Sequence, residues 1–105
     1  MIVMINPFRV FEGQEQKFLS LWERTNAIFA AKPGYIQTRL MRAIAEQPPG
    51  ETAPYTHINV ALWDSRDAYA EALRDIEIKR FAQRYAEICT YNPALYEIIR
   101  ETPAK

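Results

Sequence analysis

Tyr55, His57, Asn59 and Trp63 occupy alternate positions of one β-rich run, so a strand there turns all four to the same side. Asn6, on an earlier run with Ile2, Met4 and Phe8, is placed to share that side. Two carboxamides, an imidazole and an indole make a strand face more polar than a core needs. Groups of these types orient a small molecule in a cavity whose remaining wall is apolar. His57, the only histidine, adds a general base with a reference pKa of about 6.5, of the kind an isomerase or decarboxylase uses.

The same residues also have plainer uses. Trp22 and Trp63 serve equally as core aromatics, Asn59 as a partner for backbone groups beside a bulge, and Tyr69 as a packing residue with its hydroxyl at the surface. Arg80, Arg84 and Lys79 read as a solvated helix face. Cys89 reads as a small buried apolar group. His57 has no Cys, Asp or second His at ligand spacing, so no metal site is expected. A Gly-rich phosphate loop, a paired-cysteine metal motif and a nucleophile elbow are all missing.

At 105 residues the chain is long enough for one core and short for two, so a single domain over 1–105 is expected. Hydrophobic residues make up 49% and charged residues 25%, the balance of an ordinary globular protein. Thirteen Lys and Arg against thirteen Asp and Glu give a net charge of zero, so no summed field draws the chain onto nucleic acid or anionic lipid. No apolar run approaches the ~20 residues of a membrane span. A single cysteine and an opening without signal-peptide regions lead to the expectation of a reducing cytoplasm.

The elements that must position these groups follow from period and punctuation. Ile2–Val10 is rich in β-formers and ends at Glu12-Gly13, with Pro7 requiring an end, a bulge or an unpaired side. Phe18, Leu21, Trp22, Thr25, Ile28 and Phe29 form one helical stripe, stopped by Pro33-Gly34. Tyr35–Ile44 is a second strand with imperfect alternation, and the polar Glu46–Pro54 stretch is a loop. Tyr55–Trp63 is the clearest strand. Asp64-Ser65 caps a helix that carries Ala68, Tyr69, Ala72 and Leu73 inward, breaks near Asp75 and resumes through Ile78, Phe81, Ala82, Tyr85 and Ile88. Asn92-Pro93 ends that helix, and Ala94–Arg100 is the last strand.

The resulting β-α-β-β-α-β order is the ferredoxin-like α+β arrangement, a four-stranded antiparallel sheet with its helices on one face. Ile58, Val60 and Leu62 then lie on the bare face, an apolar patch larger than a monomer usually leaves exposed. A homodimer through the sheet face is expected.

Four pieces of the sequence resemble the antibiotic biosynthesis monooxygenase family of dimeric α+β barrels. They are Val10-Phe-Glu-Gly13 followed by Phe18 and Trp22, Lys32-Pro-Gly34-Tyr35, the run His57-Ile-Asn59-Val-Ala-Leu-Trp63-Asp-Ser65, and Asn92-Pro93. The resemblance implies a cofactor-independent monooxygenase acting on a small aromatic or polyketide-like substrate, without metal or flavin. It implies catalytic roles for Asn59, Trp63 and Tyr69, with Asn59 and Trp63 donating to a substrate oxygen and Tyr69 relaying a proton. Asn6, Trp22, His57 and Arg84 are the expected substrate contacts, with Arg80 as the alternative arginine. The haem-degrading branch ligates iron through a histidine in the second helical region, and Asp75–Ile88 contains none. The competing expectation is a non-catalytic small-molecule-binding or stress-related protein using the same cavity.

Overall fold

The computed structural model describes all of residues 1–105. Its elements are β1 (Ile2–Val10), α1 (Glu15–Ala30), β2 (Tyr35–Arg42), β3 (His57–Trp63), α2 (Arg66–Ala72), α3 (Ile76–Ile88), β4 (Cys89–Tyr91) and β5 (Ala94–Tyr96). The antiparallel sheet runs β2-β3-β1-β4, and β5 also pairs with β1. The ferredoxin-like α+β fold stands, with one change at its edge.

That edge was expected to be one strand, Ala94–Arg100, following a helix that ran to Asn92-Pro93. Instead α3 stops at Ile88, and two three-residue strands share β1: Cys89–Tyr91 pairs with Phe8–Val10, and Ala94–Tyr96 with Val3–Ile5. The break has a cause on both chains. Pro93 has no N–H to give a ladder, and neither has Pro7. The Phe8 carbonyl and the Val10 amide both turn toward Thr56. Alternation therefore turns Pro7 toward the opposite edge, where neither short strand pairs with residues 6 and 7. The Asn6 side-chain oxygen fills part of the gap by accepting the Asn92 amide at 3.0 Å.

The imperfect alternation of the second strand also resolves into geometry. The β2–β3 register shifts between Tyr35 and Gln37, so Tyr35 stands opposite Trp63 while Gln37 stands opposite Leu62. This bulge puts Tyr35 on the helix-facing side with Thr38, Leu40 and Arg42. Without it Tyr35 would point away from the helices.

On β3 the burial alternates without exception: His57, Asn59, Ala61 and Trp63 are buried, and Ile58, Val60 and Leu62 are half-buried. The helices cover the first set. The expected break near Asp75 is the N-cap of α3, where the Asp75 carboxylate accepts the Glu77 and Ile78 amides. The core beneath the helices falls into two clusters. One gathers Phe8, Phe18, Leu21, Phe81, Tyr85 and Ile88. Phe18 is fully buried there, its ring edge-on to Phe8 at 4.8 Å, a burial that stabilises by about 2–3 kcal/mol. The other gathers Met4, Ala61, Trp63 and Ala72.

Only 15 of 105 residues are buried, and the chain is a slab of 42 × 42 × 17 Å. Its radius of gyration is 14.9 Å, against about 13 Å for a compact chain of this length. No helix is long and apolar enough to cross a membrane.

Candidate functional site

A cavity of about 140 Å³ lies between the sheet and the helices, lined from both core clusters. Its floor is Met4 and Asn6 of β1 with Asn59, Ala61 and Trp63 of β3. Its roof comes from Trp22, Thr25, Asn26 and Phe29 of α1 and from Ile78, Ala82 and Tyr85 of α3, and Tyr69 of α2 closes one side. No lining residue is charged. In such a wall each hydrogen bond is stronger than in water, and each missing one costs more.

Trp63 sits in an aromatic cage. The rings of Tyr35, Tyr69 and Phe29 meet it edge-to-face at 5.5, 5.6 and 6.0 Å. The indole is 1% exposed, and its Nε1–H has no partner. Asn59, four residues earlier on the same face, is buried and its Oδ1 has no partner either. An unpaired buried polar atom costs about 1–3 kcal/mol, and here a donor and an acceptor border one cavity. Tyr69 is set in place by the start of α2, where Ser65 Oγ accepts the Ala68 amide at 3.1 Å. Burial holds its phenol above the ordinary tyrosine value, so it stays protonated.

Of the residues singled out from the sequence, Asn59, Trp63, Tyr69, Asn6 and Trp22 all line the cavity. His57 and Arg84 do not, which corrects their expected place as substrate contacts. His57 lies at the far end of β3 against the Phe18 ring at 4.9 Å. Both of its nitrogens are engaged, Nδ1 with Thr56 Oγ1 at 2.8 Å and Nε2 with Glu15 Oε2 at 3.1 Å. Glu15 also accepts from Arg42 at 2.8 Å, so the histidine ties the start of α1 to the sheet. The inward stripe of α3 is Ile78, Phe81, Tyr85 and Ile88, and residues 80 and 84 fall outside it. Arg80 pairs with Glu77 at 2.8 Å, and the Arg84 guanidinium lies over Phe81 at 5.7 Å, beside a shallow outer groove.

Sequence reasoning placed Tyr85 and Thr25 in helical stripes and gave them no role at the site. Tyr85 donates to Thr25 Oγ1 at 3.0 Å, and Thr25 donates to the Leu21 carbonyl at 2.8 Å. Burial pushes the Tyr85 hydroxyl up to about 12 despite that bond. A threonine inside an otherwise apolar stripe was the available signal. Cys89 is buried as expected, its thiol pushed up to about 11 by desolvation, which keeps it protonated and unreactive.

A family model described as antibiotic biosynthesis monooxygenase matches residues 1–84. Deoxynogalonate monooxygenase of Streptomyces nogalater is 31% identical over 72 residues, which cover 69% of this chain and 54% of that protein. The chain thus matches about half the length of this curated relative. Among solved structures, the cofactor-independent oxygenase SnoaB from Streptomyces nogalater superposes with a TM-score of 0.82 at 25% identity, over 98% of this chain and 97% of the other. A protein of Shewanella loihica PV-4 is 33% identical with a TM-score of 0.73, over 95% of each chain.

Proposed function

This chain belongs to the antibiotic biosynthesis monooxygenase family, and on that premise we propose that it oxygenates a flat, electron-rich phenol or aromatic ketone in the cavity without metal or flavin. The observation that carries this reading is the pair of unpartnered buried atoms, Asn59 Oδ1 and Trp63 Nε1, bordering one uncharged cavity. The indole N–H donates to the substrate oxygen as negative charge gathers there, and the Asn59 carboxamide supplies a second polar contact. Edge-on rings around Trp63 fix the direction of its N–H before the substrate arrives.

The reaction is an exchange with dioxygen. The ionised substrate passes one electron to dioxygen, the two radicals join through a new C–O bond, and the peroxide loses water as its O–O bond and the remaining C–H bond break. In sum a CH₂ group and O₂ become a carbonyl and water. The lining contains no carboxylate, imidazole or amine, so the wall supplies no strong base. The substrate must be acidic enough to ionise by itself, and the wall stabilises the anion. Tyr69, held protonated by burial, serves as the acid that gives a proton to the peroxide.

Oxygen uptake with anthrone tests the reading. Wild-type protein accelerates uptake, and Trp63→Phe lowers the rate by about a hundredfold, the usual cost of removing one oxyanion donor; Asn59→Ala lowers it through the loss of the second polar contact. Uptake unaffected by the protein, or as fast in both variants as in the wild type, rejects it.

A second copy of the chain belongs to the same proposal. Ile58, Val60 and Leu62 of β3 and Val3 and Ile5 of β1 are only half-buried on the outer face, where Met41 is 46% and Tyr96 54% exposed. A two-fold partner stacked sheet to sheet covers them. Light scattering that gives the mass of one chain at micromolar concentration would refute it.

A further inference from the structure

Two hydroxyls at one end of the cavity have their protons fixed by arithmetic. The Leu21 carbonyl can only accept, so the Thr25 proton is spent on it. Thr25 Oγ1 can then only accept, which commits the Tyr85 proton in turn. Thr25 and Tyr85 are both buried, and both line the cavity. Toward a ligand, the Tyr85 oxygen is left with acceptor capacity alone. At the other end the unpartnered Trp63 Nε1–H can only donate.

The two groups are far apart along the sheet. Trp63 pairs with Ile2, whereas Phe8, whose ring lies 6.1 Å from Tyr85, pairs with His57. Six residue steps of β1 separate these levels, about 20 Å of strand, but on α1 Thr25 is one helical turn from Phe29, whose ring lies 6.0 Å from that of Trp63.

We propose that the Thr25–Tyr85 pair makes the cavity directional, so that it holds a ligand with an acceptor oxygen at Trp63 and a hydroxyl donor at Tyr85. A ligand that satisfies both ends is oriented with its hydroxyl at Tyr85 and its acceptor oxygen at the Asn59 and Trp63 end. This inference rests on the cavity being the substrate site and narrows the class of molecule that fits it. Burial, which raises the Tyr85 pKa to about 12, keeps the proton in the Thr25 bond across the working pH range. An ether oxygen placed at Tyr85 meets only an acceptor and leaves it unsatisfied, which is how the pair discriminates.

Calorimetric titration of the full chain with anthraquinone, 2-hydroxyanthraquinone and 2-methoxyanthraquinone tests this, in mildly acidic buffer where the phenol keeps its proton. These probes are already oxidised, so binding is read without turnover. In the wild type the hydroxy compound binds about five- to tenfold tighter than anthraquinone, the worth of one hydrogen bond, and the methoxy compound gains nothing. Tyr85→Phe removes the hydroxyl preference. Thr25→Val frees the Tyr85 proton, so the methoxy compound now gains over anthraquinone. Trp63→Phe weakens all three alike. Equal binding of the hydroxy and parent compounds in the wild type, or a preference that survives in Tyr85→Phe, overturns the directional pair while the cavity reading stands. If Tyr85→Phe does not fold, the Thr25→Val response of the methoxy compound decides. Failure of all three probes to bind the wild type overturns both.

Discussion

Asn6 and Asn59 stand directly opposite each other in the β1–β3 register, and one of the two carboxamide oxygens is spent while the other is free. Asn6 Oδ1 accepts the Asn92 amide, whereas Asn59 Oδ1 has no partner. The same side chain on paired strands therefore does different work. Asn6 bridges the gap between β4 and β5, and Asn59 keeps a buried polar atom available at a standing cost of about 1–3 kcal/mol. Asn6→Ala is expected to lower stability by about 1 kcal/mol, the net worth of the hydrogen bond lost to the exposed Asn92 amide. Asn59→Ala removes an unsatisfied group and is expected to leave stability within about 1 kcal/mol of the wild type, while oxygen uptake with anthrone collapses. Denaturant midpoints of the two variants, measured beside their uptake rates, check the division. A large loss of stability in Asn59→Ala would show that its carboxamide is structural after all.

Lys32 and Asp75 join the end of α1 to the start of α3 through an ion pair at 2.5 Å. The Lys32 hydrogen bond, then the Glu77 amide, hold the Asp75 carboxyl below its ordinary range. A carboxyl whose folded pKa is depressed stabilises the fold above the unfolded value of about 3.9 and loses that contribution as pH falls through the folded value. Asp75→Asn keeps an acceptor for the α3 amides and loses the ion pair, whereas Asp75→Ala loses both. Melting temperatures at neutral pH are expected in the order wild type, Asn, Ala. The gap between wild type and Asp75→Asn is expected to close as the pH is taken below the usual Asp range. A gap that persists in strong acid would remove the ion pair as its cause.

How much of this was legible in the sequence depended on whether the signal was local. The alternation from His57 to Trp63 is a property of one strand, and it gave the buried face, of which Asn59, Ala61 and Trp63 line the cavity. Asp75 as a helix breaker was equally local, because a carboxylate before a run of helix formers caps whatever follows. The misplaced residues are those whose position depends on a distant partner. His57 shares the inward face of β3, but β3 is long enough for its far end to pass beyond the cavity and under Phe18 and Glu15. Arg84 needed a helix register that the break at Asp75 resets. The β4–β5 split arises from two prolines far apart in the chain, Pro7 and Pro93, which meet only once the sheet has formed. Tyr85 looked like another core aromatic, since nothing local tells a tyrosine that fills space from one whose hydroxyl is aimed by a threonine on another helix.

Gly34 is the residue on which the position of Tyr69 rests most directly. It has φ of +87°, a conformation natural to glycine, and a Cβ added there would collide with the Ala68 Cβ. Its carbonyl accepts the Asp64 amide at 2.8 Å, so the turn into β2 is clamped against the first residues that lead into α2. Ala68 immediately precedes Tyr69, and Tyr35 immediately follows Gly34. The close approach therefore brings together two of the three rings that cage Trp63. Gly34→Ala is expected to cost about 2–4 kcal/mol, from the strained φ and the overlap together. The Ala68→Gly change relieves the overlap and leaves the strain, so the double variant is expected to recover part of the loss, even though glycine in a helix alone costs about 1 kcal/mol. A double-mutant cycle by denaturant unfolding reads the coupling. Trp63 fluorescence reads whether the cage has opened, since a displaced Tyr69 lets water reach the indole. Strict additivity of the two changes would mean that the turn and α2 do not bear on each other.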